Sequence, residues 1–109
     1  NDSVIYIDLN TSAPKNNSSA LVHSVIRAYP NPYNGIVTLQ LKLNEKADVY
    51  MEVFNLLGEK ISTLQKGQLN EGDHTYTFSA KNIDLPAGLY VVKLTVNNNV
   101  YTQRIVELN

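Results

Sequence analysis

Few side chains in this chain could do chemistry. There are two histidines, His23 and His74, and no cysteine. Each histidine sits in strand-like alternation, and neither has a second ligand at metal-binding spacing. A zinc site would need the fold to bring both together with a carboxylate; strand histidines partly covered by neighbours are the simpler reading. The carboxylates Asp48, Glu52, Glu71, Asp73, Asp84 and Glu107 are scattered over turns and solvent faces. None forms the DxDxDG pattern of a calcium loop, so a calcium site would have to be built from separate turns, such as Glu71-Gly72-Asp73 with Asp84. Spacing alone does not exclude a glycosidase pair, but so few candidates in so small a chain argue against hydrolysis. No GxSxG elbow holds a serine. Gly58, Gly67 and Gly72 are lone turn residues without phosphate-loop spacing. The absence of cysteine excludes disulfides, thiolate zinc sites and thiol catalysis. The expectation is a chain with no catalytic residue, no metal and no cofactor.

Tyrosine is the other chemically suggestive type, with seven copies: Tyr6, Tyr29, Tyr33, Tyr50, Tyr76, Tyr90 and Tyr101. A row of them on a flat sheet could stack on sugars. Tyr76 and Tyr90 fall on predicted core faces, where packing accounts for them, which leaves Tyr50 and Tyr101 as the expected exposed pair. Asn10-Thr11-Ser12 and Asn16-Asn17-Ser18-Ser19 fit the N-glycosylation pattern, a frequent chance match.

The elements that would position these residues follow from bulk and period. The chain has 109 residues, a net charge of −1 and 17% charged residues. That suits one domain with its own core and gives no electrostatic case for nucleic acid or an anionic membrane. No apolar run approaches the roughly 18 residues of a membrane span, and no basic segment precedes an apolar one as in a signal peptide. The first residue is not Met, which suggests a piece of something larger.

Val4-Ile5-Tyr6-Ile7-Asp8-Leu9 reads as a short strand, followed at residues 10–19 by a polar stretch that cannot offset the entropy of ordering and reads as a linker. Residues 1–20 are therefore a linker or the tail of an upstream domain, with residues 4–9 either belonging to that tail or forming an extra edge strand. From Leu21 the period is two, and residues 21–109 form the domain. The expected strands are residues 21–28; 37–43, with Val37, Leu39, Leu41 and Leu43 on one face; 48–54, with Val49, Met51 and Val53 inward and Phe54 under a loop; one from residue 60 that ends either near Leu64 or at Leu69; 74–78; 90–96, with Tyr90, Val92, Leu94 and Val96 on one face; and 100–108. Asn55-Leu56-Leu57-Gly58, Glu71-Gly72-Asp73, residues 84–88 and Asn97-Asn98-Asn99 mark turns. Seven strands at this spacing predict an all-β, seven-stranded antiparallel immunoglobulin-like sandwich.

One segment is punctuated differently. In Tyr29-Pro30-Asn31-Pro32-Tyr33-Asn34-Gly35 two prolines fix φ and remove donors, bias Tyr29 and Asn31 away from the helical region, and lead into a turn pair that tolerates positive φ. A stiff bridge into the next strand is expected.

Together with three further segments, it resembles a known family. Residues 28–35 look like the "YPNP-[FY]-N" opening of the C-terminal sorting domains of the type IX (Por) secretion system of Bacteroidetes and relatives. Residues 53–61 resemble that family's "VYNLLGQKV" segment, residues 85–94 its "L-x-x-G-x-Y-x-x-x-L" segment, and residues 102–106 its terminal "T-x-K-[ILM]-[IV]" strand, with Arg104 in place of the usual lysine. The residues carrying the likeness are Tyr29, Pro30, Asn31, Pro32, Asn55, Leu57, Gly58, Gly88 and Tyr90. The resemblance implies a secretion signal that follows an unrelated N-terminal cargo and directs it through the type IX translocon across the outer membrane. A sortase-like signal peptidase then cuts upstream, within residues 10–19 or just before Leu21. It further implies recognition through the last strand, at Thr102, Arg104, Ile105 and Val106. A terminal edge strand can be read by strand addition and can also drive dimerisation by strand exchange. The rival readings are a carbohydrate-binding or adhesive sandwich and a plain spacer domain.

Overall fold

Where apolar and polar side chains alternate among the described residues, the apolar row of each strand faces inward. The computed structural model describes residues 25–109. The expectations for the linker, the strand at 4–9, the cleavage region, the glycosylation patterns and His23 lie outside the described residues.

The strands are β1 (Val25–Tyr29), β2 (Tyr33–Asn34), β3 (Val37–Leu43), β4 (Ala47–Phe54), β5 (Lys60–Leu69), β6 (Gly72–Phe78), β7 (Gly88–Val96) and β8 (Asn99–Leu108), with one 3-10 turn, Lys81–Ile83, between β6 and β7. They form two sheets, ordered β1-β3-β6 and β2-β8-β7-β4-β5. Every pairing is antiparallel except that of β2 with β8, where Tyr33 lies beside Glu107 and Asn34 beside Leu108 in parallel register.

The chain is therefore all-β in two sheets, but with eight strands and one mixed sheet, where seven antiparallel strands were expected. The difference is β2: its two residues are too short to alternate, and what makes them a strand is the distant end of β8.

The inward rows meet in one core. Val37, Leu39 and Leu41 of β3, Val49, Met51 and Val53 of β4, and Val92, Leu94 and Val96 of β7 are all 0% exposed. Burying each such side chain contributes about 1.5–3 kcal/mol, so this row accounts for much of the folding energy. Phe78 and Tyr90 meet edge to face in the same core, with ring centroids 5.9 Å apart. Tyr76 is half-buried against the core, and its hydroxyl donates to Gln65 Oε1 at 3.0 Å, linking β6 to β5.

Candidate recognition site on the last strand

The hairpin before β8 decides what β8 can present. Asn97 and Asn98 have φ of 48° and 77°, the two positive values of a type I′ turn, which only a few residue types accept readily. The turn is tied to β4: Asn97 N–H donates to the Asp48 carbonyl at 2.9 Å, and Asp48 N–H donates to Asn97 Oδ1 at 2.9 Å. Closing the hairpin at the Val96–Asn99 pair sends the odd-numbered side chains of β8 inward. Tyr101, Gln103, Ile105 and Glu107 are accordingly buried, while Val100, Thr102, Arg104 and Leu108 are exposed and Val106 is half-buried. This corrects the expectation for Tyr101: it is 7% exposed, so it cannot join Tyr50 in a sugar-stacking row. Among the described tyrosines Tyr50 alone lies in open solvent.

β8 pairs with β7 from Asn99 to Glu107, but on its other flank β2 reaches only Glu107 and Leu108. Within a strand, backbone groups of successive residues point to opposite flanks. Those of the even-numbered residues point away from β7, and next to β2 they are met by a side chain. Asn31 Nδ2 donates to the Arg104 carbonyl at 2.9 Å, and Val106 N–H donates to Asn31 Oδ1 at 3.0 Å. One carboxamide thus takes the place of one residue of a neighbouring strand. Pro30 and Pro32 flank it, with both X–Pro bonds cis. Beside it, the Arg27 guanidinium lies 5.0 Å from the centre of the Tyr29 ring.

A buried carboxylate anchors the C-terminal end of β8. Glu107, 4% exposed, accepts the Ala80 N–H at 2.8 Å on Oε1 and the Lys81 N–H at 3.0 Å on Oε2, holding the start of the 3-10 turn. Tyr33 is fully buried next to it. Its hydroxyl has no partner in hydrogen-bond geometry, yet it is close enough to Glu107 that burial first, and the carboxylate second, push the phenol's pKa well above its ordinary value. Higher on the strand, Gln103 Nε2 donates to the Arg104 carbonyl at 2.8 Å, which leaves Gln103 Oε1 buried and unpartnered.

The remaining motif residues shape turns. Asn55 Oδ1 accepts the N–H groups of Leu57 and Glu59 at 2.9 and 3.0 Å, and Asn55 Nδ2 donates to Glu59 Oε1 at 2.8 Å. Gly58 closes the turn at φ 86°, where a side chain would be strained. The clamp holds Leu56 and Leu57 out in solvent, 68% and 83% exposed. Phe54, expected under a loop, is half-buried beneath the Lys93 ammonium, 5.8 Å from its ring centre. Gly88 opens β7 with φ of 142°, and the Tyr90 hydroxyl donates to the Pro86 carbonyl.

The structure thus brings Asn31 together with Arg104 and Val106 on one flank of β8. Thr102 stands on the same strand, Ile105 is sealed in the core at 0% exposure, and Asn55, Leu57 and Gly58 belong to the separate β4–β5 turn. Sequence reading missed the anchoring role of Glu107, although it falls on the same odd-numbered row as Ile105. His74, half-buried, donates from Nε2 to the Asn70 carbonyl at 2.8 Å. No three His, Asp or Glu side chains among the described residues converge on a point where a metal could sit.

Residues 27–107 match the family model described as "Secretion system C-terminal sorting domain". No curated protein matches the chain in a sequence search.

Proposed function

The chain belongs to the secretion-system C-terminal sorting domains, and from that premise we propose how its surface serves the family's task. These domains are the sorting signal of the type IX system, through which the proteins that carry them reach the cell surface or the medium. Membership implies interaction with the type IX machinery and fusion to an N-terminal cargo.

Our reading is that the machinery recognises β8. Thr102 and Arg104 present their side chains on its exposed face, Val106 is partly accessible, and Ile105 holds the strand to the core from beneath. The observation that carries this is the flank of β8: the strand is regular over ten residues, and β2 and Asn31 cover that flank only from Arg104 onward, which leaves the kind of edge strand addition needs. The domain itself acts as a folded label and catalyses nothing. We read its two sheets as an immunoglobulin-like sandwich to which the short β2 adds an eighth strand. A sortase-like signal peptidase cuts upstream of the domain, and two copies can associate through the same edge.

The test fuses residues 10–109 to a periplasmic reporter in a type IX-competent bacterium. Surface or extracellular reporter is expected, and retention in the periplasm would overturn the reading. In the same fusion Arg104→Ala should reduce export while the purified domain stays folded; undiminished export would remove Arg104 from the recognised surface.

A further inference from the structure

We propose that Asn31 shuts the C-terminal half of the β8 edge, so that a partner strand can pair only along residues 99–103, and that the strand it admits is extended and carries a carboxylate where it passes Arg104. The inference rests on the reading of β8 as the recognised strand and deepens it.

The geometry divides the edge in two. From the Arg104 carbonyl onward the flank is covered: Asn31 takes the Arg104 carbonyl and the Val106 N–H, and β2 lies alongside Glu107 and Leu108. Above them, the outward N–H and C=O groups of Val100 and Thr102 have no partner among the described residues. Five residues are enough for strand addition, in which backbone bonds give affinity and alternate side chains give selectivity. Another long edge is less suitable. β5 carries Lys60 and Lys66, positive φ at Gly67 and two register shifts against β4, devices that discourage pairing.

The partner's chemistry follows from the exposed face beside this edge. On β8 that face carries Val100, Thr102, Arg104, Val106 and Leu108, of which Arg104 alone is charged. Lys93, one strand further in, has Glu52 opposite it on β4 and its ammonium over the Phe54 ring, whereas Arg104 lies opposite the uncharged Val91. A strand laid along residues 99–103 would bring an outward side chain next to Arg104 at the end of that stretch, so a carboxylate there is favoured and a lysine disfavoured.

Two measurements test the proposal. Amide exchange in the isolated, unmodified chain should be at least about tenfold faster at Thr102 than at Val106, since an unpaired edge N–H exchanges without local opening. Equal protection at the two amides would show the edge already occupied and overturn the proposal whatever export does. In the reporter fusion, Thr102→Pro removes one outward N–H while leaving the bonds to β7, and it should cut export about tenfold or more. Thr102→Val keeps that N–H and should export normally. Arg104→Glu should export less well than Arg104→Lys. Normal export of Thr102→Pro, an equal loss with Thr102→Val, or no difference between the two Arg104 variants would each overturn it. Failure of the unmodified fusion to leave the periplasm would instead strike the sorting reading and leave the exchange result standing.

Discussion

Val106 donates its backbone N–H to the side-chain oxygen of Asn31 at 3.0 Å, across 75 positions of sequence. The same carboxamide returns a bond to the Arg104 carbonyl. One residue held between two prolines closes the Val106 N–H and adds a second donor to the Arg104 carbonyl, which Gln103 Nε2 also reaches.

Replacing Asn31 by Ala removes both bonds and should destabilise the domain by about 1–3 kcal/mol, since each such bond contributes on the order of 1 kcal/mol net. Chemical denaturation checks it. A change near zero would mean that water replaces the carboxamide without loss.

Glu107→Gln should cost about 1–3 kcal/mol as well. An amide keeps one acceptor and turns an NH2 group toward the second of the two N–H donors, Ala80 or Lys81. Faster amide exchange at those two residues would accompany the loss, whereas unchanged protection would refute the anchoring role.

Leu41→Ala and Leu57→Ala form a matched pair. Leu41 is 0% exposed and Leu57 is 83% exposed. The first should lose about 2–5 kcal/mol through cavity formation, the second no more than about 0.5 kcal/mol. Equal effects in thermal melts would contradict the face assignment.

Alkaline pH should unfold the domain. Burial raises the phenol pKa of Tyr33, Tyr76, Tyr90 and Tyr101 above the usual 10.0. In the unfolded chain these groups ionise near that ordinary value, while in the folded protein they keep their protons. Stability is therefore at its full value below pH about 10 and declines as pH rises beyond it. Tyr33→Phe removes the phenol whose shift is largest and should make that decline shallower, with little effect at pH 7. Parallel stability–pH curves for the variant and the parent would count against Tyr33 as a source.

The alternating rows of β3, β4 and β7 were legible because a strand half-covered by a core repeats every two residues, and each of those rows is buried as its pattern implies. Turn positions were legible for a similarly local reason: Asn and Gly mark where φ turns positive, as at Asn97, Asn98 and Gly58. Tyr101 was misjudged because its face depends on where the hairpin closes, and a one-residue shift of register inverts every side chain of the strand.

Sequence pattern was enough to place the seven longer strands, the turns between them and the family. The tertiary structure alone decided which strands share a sheet, that Tyr33 and Asn34 form a strand at all, and that the amide of Asn31 lands on Arg104 and Val106. Local pattern constrains neighbours a few residues apart. A hydrogen bond that spans most of the chain exists only once the whole core has brought its two ends together.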